Sequence, residues 1–224
     1  MMHQQKSNKI LIYIFLFIII GTFNNKNLSN INLLKVKNIS IKGLDEKKNF
    51  ELFQELNFLI KQNIFFLDKI KIKQIIESHD LVENYSIFKL YPSSINIHIK
   101  KTKFLASTKK KNNTFLVGSN GKLINAEEID QNLPLIFGDF EIKKFFDLKS
   151  AMDESNFDFN DVKNLFFFKS GRWDIETKYG LIIKLPKDEI RKSLRIFIKF
   201  IDINDISQIK EVDLRQRNQI ITNG

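Results

Sequence analysis

Cysteine is absent from the 224 residues, which excludes disulfides, thiol nucleophiles and Cys-ligated zinc. A chain without cysteine is compatible with an oxidising compartment. Proline and glycine are scarce, at 3 and 8, so low-complexity linkers are not expected. Histidine occurs three times, with His3 in the tail, His79 at the end of a helix and His98 on the polar face of a strand. Ser78-His79-Asp80 looks like a triad in composition, but sequence neighbours do not face one another as a triad requires. Glu127, Glu128 and Asp130 have no histidine to complete a metal site and read as a solvated loop. No Gly-rich phosphate loop or dinucleotide fingerprint occurs. These absences point away from an enzyme, a bound cofactor, a metal or a small-molecule substrate.

What is present is a chain that can fold. Hydrophobic residues make up 43%, and phenylalanine is used 22 times against one tryptophan. That is enough to bury a core, and the length suits one large domain or two small ones. The formal charge is +10, almost all of it lysine. Together with abundant isoleucine and asparagine, this reads as the bias of an AT-rich genome. Lys109-Lys110-Lys111 is flanked by Asn112 and Asn113, with no interleaved aromatic residue to stack bases. It reads as a solvated loop, and nucleic acid is not an expected partner.

The N-terminal segment is different. Ile10 to Phe23 contains no charge, Lys6 and Lys9 precede it, and the next charge is Lys26. Residues 10–25 are expected to form a membrane anchor, with Ile10, Leu11, Ile12, Phe15, Phe17 and Ile20 facing lipid. The preceding lysines keep residues 1–9 in the cytoplasm and place the rest outside. At 1.5 Å per residue the uncharged run covers about 21 Å, so it reaches a span only with Asn24, Asn25 and a snorkelling Lys9. A cleaved signal peptide is the competing reading, but Gly21-Thr22-Phe23 ends in a bulky residue where a small one is needed.

Residues 34–104 read as one α+β unit of order β-α-α-β-β. A broken strand runs through Leu34, Val36, Ile39 and Ile41 to Gly43. Asp45 is placed to cap a helix carrying Phe50, Phe53, Leu56 and Ile60, and Asp68 to cap one carrying Ile72, Ile75 and Ile76. Strands 85–91 and 94–101 flank a Pro92-Ser93 turn, and Ile95, Ile97 and Ile99 alternate.

Residues 105–224 read as a second, mainly antiparallel β unit with flanking helices. Asn120-Gly121 between apolar runs predicts a hairpin. A helix is expected over 141–153, strands over 164–169, 172–178 and 181–185, and a further helix on Ile190, Leu194, Phe197, Ile198 and Ile201. Strands over 209–214 and 219–222 close the unit. The boundary between the units is expected within Phe104–Asn113.

The ordered set resembles the FtsQ/DivIB family of bacterial cell-division proteins. The pattern Val36–Gly43, the Lys89-Leu90-Tyr91-Pro92 turn and the connector Asn63–Asp68 resemble the POTRA domain of that family. The string Arg172–Pro186, a helix, then Glu211-Val212-Asp213-Leu214-Arg215 is similar to its β-domain. Between the units the chain has Lys100–Ala106 where the family often has Glu-Arg-x-Pro-x-Ala. The resemblance implies a non-enzymatic, single-pass scaffold of the inner membrane at the division septum. Its domains would be periplasmic and would bind partners of the FtsB and FtsL type. A POTRA-bearing, chaperone-like module of polypeptide transport is the alternative; it would carry a membrane barrel or repeated POTRA units. The implied partner site is the edge strand at Gln219, Ile220, Ile221 and Thr222, with Arg215 and Arg172 as candidate holders of a partner carboxylate. A proline at Ile221 is expected to weaken that edge if its N–H points outward.

Overall fold

The structure, a computed structural model, describes residues 3–23, 34–111, 113–217 and 219–223. Asn24 and Asn25 of the expected anchor lie outside the described residues, as do Asn112, Asn218 and Gly224. Helix α1 runs His3–Phe23, so it begins well before the uncharged run. Side chains are described for residues 9–19 of it, which leaves Ile20 outside. Among the described residues, no helix is long and apolar enough to cross a membrane. The expected spanning helix is therefore not found there, although Ile10–Ile18 are all exposed apolar residues.

The chain divides into two compact units, residues 1–78 with 85–99 and residues 79–84 with 100–224. In the first, strands β1 (Asn38–Lys42), β2 (Val82–Leu90) and β3 (Ser94–Lys101) form a sheet of order β1-β3-β2. β1 lies parallel to β3, with Ile39 beside Ile95 and Ile41 beside Ile97. Parallel neighbours need a crossover, and α2 (Glu46–Leu56) and α3 (Lys69–Ser78) lie within it. Leu52, Leu56, Ile72 and Ile76 recur at helical spacing, so each helix buries one face, together with Ile95 and Ile97 of the sheet. Asp68 caps α3 by accepting from Lys71 N–H at 3.0 Å. Gly43 ends β1 at φ +118°, where a Cβ would stand 1.8 Å from the Ile99 carbonyl oxygen. Only glycine fits there.

The second unit is built on a sheet of nine described strands, in the order β12-β11-β10-β9-β8-β7-β4-β5-β6. The strands are β4 (Phe104–Lys110), β5 (Asn113–Gly118), β6 (Leu123–Ala126), β7 (Leu135–Phe137) and β8 (Val162–Phe167). They continue with β9 (Trp173–Thr177), β10 (Ile182–Lys184), β11 (Glu211–Asp213) and β12 (Ile221–Asn223). Most neighbours are antiparallel, but β4–β7, β7–β8 and β10–β11 are parallel. Helices α4 (Ile142–Glu154) and α5 (Ile190–Ile203) make the crossovers for the last two of these pairs. The two helices pack on one another. Their Phe145, Leu148, Leu194 and Phe197 join Ile136, Leu165, Trp173, Ile175, Ile183 and Val212 of the sheet in one buried core.

Two of the three lysines at 109–111 are not in the solvated loop expected of them, and only Lys111 lies in an exposed turn. Lys109 and Lys110 are the end of β4, opposite Thr114 and Asn113 of β5. The strand escapes hydropathy because its middle is Ala106, Ser107 and Thr108, small residues buried on both faces. Thr108 hides its hydroxyl by donating to the Ile136 carbonyl at 3.1 Å.

Candidate partner-binding edge and basic cleft

The register from β9 to β12 sets the site. Asp174, Lys184, Asp213 and Ile221 stand side by side across four strands, with Ile175, Ile183, Val212 and Thr222 in the next row. Because successive residues alternate between faces, the second row belongs to the helix-covered side and the first to the opposite side. Its core members Ile175, Ile183 and Val212 are fully buried.

β12 has a partner on one side only among the described residues. Which of its groups face outward follows from β10–β11. Ile182 N–H donates to Lys210 C=O and Leu214 N–H to Lys184 C=O, both at 2.9 Å. That parallel pattern turns Val212 toward β10 and turns Glu211 and Asp213 toward β12. Their ladder partners are Asn223 and Ile221. Ile221 thus spends its N–H inside the sheet, and the backbone N–H and C=O of Thr222 face the open edge. The expected proline probe at Ile221 is therefore misplaced, and Thr222 is the position that tests the edge. Ile221 itself is 51% exposed, Ile220 packs partly on the core, and Gln219 forms a turn with its N–H on Gln216 C=O.

Arg172 and Arg215 come together, 43 residues apart in sequence, on one cleft of about 420 Å³ at the start of α5. Lys187, Lys192 and Arg217 line it too, with Asp188 and Glu189 as the acidic counterpart. The guanidinium of Arg215 already holds Asp213, with Nε 2.9 Å from both carboxylate oxygens and a further bond from Nη2. Arg172 Nε lies 3.5 Å from Asp174 Oδ1, a pair of buried atoms with no hydrogen bond among the described residues. Its guanidinium lies 4.3 Å from the centre of the Phe168 ring. Each arginine has thus been given a local carboxylate, and what it offers a partner is the outer part of its donor fork.

The two carboxyls differ. Hydrogen bonds from Arg215 hold the Asp213 carboxyl below its ordinary range against the opposing effect of burial. Burial pushes Asp174 up, and the charges of Arg172, Arg215 and Lys184 offset it only in part. The arginines were visible in the sequence, whereas these aspartates and the lysines of the α5 turn were not. The signal was there, since Arg172 and Asp174, like Asp213 and Arg215, are two residues apart at a strand, and such residues share a face. Among the described residues, no group of three or more His, Asp or Glu side chains could hold a metal ion.

Comparison with known proteins identifies the parts. A model of the POTRA domain, FtsQ-type, matches residues 34–101, and one of the cell division protein FtsQ/DivIB, C-terminal, matches residues 106–215. Cell division protein FtsQ of Rhizobium meliloti (strain 1021) is 21% identical over 187 residues, covering 80% of this chain and 60% of its own length. Cell division protein FtsQ of Bradyrhizobium diazoefficiens is 21% identical over 169 residues, covering 72% of this chain and 48% of its own. The chain thus spans between about half and three fifths of these relatives. A solved structure of the major extracytoplasmic domain of the division protein DivIB from Geobacillus stearothermophilus aligns with 9% identity and a TM-score of 0.32, over 42% of this chain and 87% of that one. With two family-specific models following one another along most of its length, the chain belongs to the FtsQ/DivIB family of cell division proteins.

Proposed function

We propose that this protein is a non-enzymatic scaffold of the divisome, held in the inner membrane by α1 and binding partners of the FtsB and FtsL type outside the cytoplasm. For the anchor, the support is a helix apolar on every described side from Ile10 to Ile18, preceded by Lys6 and Lys9. Residues 34–224 then form the periplasmic part, with a boundary between the units close to Phe104.

Partner binding is carried by one observation, the open edge of β12 beside the basic cleft. A partner strand would add its backbone bonds to Thr222, and an acidic segment continuing from it would meet Arg172, Arg215 and Arg217. The intramolecular pairs keep the cleft ordered while it is empty, and a partner carboxylate shares rather than creates the arginine geometry.

The test is capture of the host's own FtsB- and FtsL-type proteins by the membrane-extracted chain. Thr222→Pro removes only an outward donor, and a strand position accepts the proline ring at an edge. Capture should fall at least about tenfold, on the order of 1.4 kcal/mol, with Trp173 emission unchanged. The double reversal Arg172→Glu and Arg215→Glu should lose capture with a weaker dependence on salt. Full capture by both folded variants would move the partner site off this edge.

A further inference from the structure

The first unit carries a group of exposed aromatic rings that its core does not use. Phe65 and Tyr91 stack with centroids 5.1 Å apart, and they are 51% and 58% exposed. Phe66 beside them is 84% exposed. These rings are not on a loose loop. Asn63 holds the connector by accepting from Phe65 N–H on its side-chain oxygen, at 2.9 Å, and from Phe66 N–H on its carbonyl, at 3.0 Å. Burying such rings in the core would be the ordinary outcome, and the connector presents them to solvent instead.

Their position relative to the start of the unit gives them a role. Ile64 N–H donates to Leu34 C=O, Val36 N–H to Gln62 C=O and Lys61 N–H to Val36 C=O, each at 2.9 Å. Lys37 N–H donates to Ser93 C=O at 2.8 Å, next to the Tyr91-Pro92 turn. The place where the chain enters the unit therefore lies between the two segments that carry the rings. Ten residues, 24–33, separate it from the end of α1. Ten residues span at most about 36 Å however they are arranged. If α1 is in the membrane, this end of the unit is the one tethered close to the bilayer.

Charge agrees. Lys35 and Lys37 flank the point of entry, and Lys61, at φ +73°, is exposed beside it. The nearest acid in the connector, Asp68, is engaged as the cap of α3. Aromatic rings among lysines are the combination that suits the headgroup region of an anionic bilayer.

We propose that Phe65, Phe66 and Tyr91, with Lys35, Lys37 and Lys61 around them, form a membrane-resting face of the first unit. The rings enter the headgroup–acyl boundary and the lysines meet lipid phosphates. This rests on the anchor reading of α1, and the experiment separates the two. The full chain is reconstituted into vesicles of phosphatidylethanolamine and phosphatidylglycerol, with nitroxide-labelled lipid as quencher. Phe66→Trp is compared with Tyr179→Trp, a position 84% exposed in the second unit, and both are read against the shared background of buried Trp173. The emission added at 66 should shift to the blue and lose most of its intensity to the labelled lipid, and that added at 179 should do neither. Replacing phosphatidylglycerol by phosphatidylcholine should reduce the quenching at 66. A chain that resists alkaline extraction yet shows no quenching at 66 overturns the proposal and leaves the anchor standing. Shielding of 66 from aqueous acrylamide without lipid quenching means a second copy covers the rings, and also overturns it. A chain released by alkaline extraction overturns the anchor reading.

Discussion

Asp174 and Asp213 flank Lys184 on one face of the same sheet, yet their protonation is pulled in opposite directions. Burial is the larger influence at Asp174, and hydrogen bonding from Arg215 is the larger at Asp213. Asp213 accepts from Arg215 through side chain and backbone, whereas Asp174 is more deeply buried and meets Arg172 only at ion-pair distance. Asp213 has a depressed folded pKa, so its contribution to stability is present above the unfolded carboxyl value of about 3.9 and is lost as pH falls through the folded one. Asp213→Asn should therefore lower the urea midpoint at pH 7 and flatten its decline in acid. Asp174 has a raised folded pKa, so its contribution is present in acid and is lost as pH climbs from the unfolded value through the folded one. Asp174→Asn should change the pH 7 midpoint little or raise it, and should remove that loss. A fall at pH 7 as large as that of Asp213→Asn would show that the Arg172 pair outweighs burial. The sequence exposed Arg172 and Arg215 as candidates but could not say that each already holds a carboxylate, because that depends on strand phase. Once the two strands are placed, the spacing of two makes both pairs readable.

Elements with a long apolar period were legible, and short or two-sided ones were not. Helix α5 shows the first case: Ile190, Leu194, Phe197, Ile198 and Ile201 mark one face, and Leu194 and Phe197 are buried in the second core. Leu194 is fully buried, so Leu194→Ala should cost about 2–5 kcal/mol, read as a lower denaturant midpoint by Trp173 emission. An unchanged midpoint would mean that α5 is dispensable to the core. Strand β4 shows the second case, since Ala106, Ser107 and Thr108 give no alternation although they sit mid-sheet between β5 and β7. A strand with both faces covered has no polar phase to betray it, and trailing lysines disguise it further. Strand β12 was legible as an element, although it runs Ile221–Asn223 and leaves Gln219 and Ile220 of the expected 219–222 outside it. Its hydrogen-bond phase was not, because that is fixed by β10, nearly forty residues earlier in the chain and two strands away.

At the scale of the whole molecule, the proposed function requires a direction across the membrane, and the chain's lack of cysteine makes that direction measurable. Any cysteine introduced is the sole thiol, so labelling needs no background to be removed. Residues 1–33 carry Lys6, Lys9 and Lys26 and no acid, with two of the three lysines before the uncharged run. Lysines in the short segment before a span, here Lys6 and Lys9, favour keeping that segment in the cytoplasm, and long following domains translocate largely without regard to their own charge. The overall charge of +10 therefore does not oppose export of the two units. Ser7→Cys places a thiol before the run, and Tyr179→Cys places one at an exposed position of the second unit. With the outer envelope opened and the inner membrane intact, a membrane-impermeant maleimide should label Cys at 179 at once and Cys at 7 only after detergent. The opposite pattern would invert the topology and put β12 and the basic cleft in the cytoplasm, out of reach of periplasmic partners. Labelling of both before detergent would mean that the N-terminal segment crosses with the rest, and the scaffold would then lack its anchor.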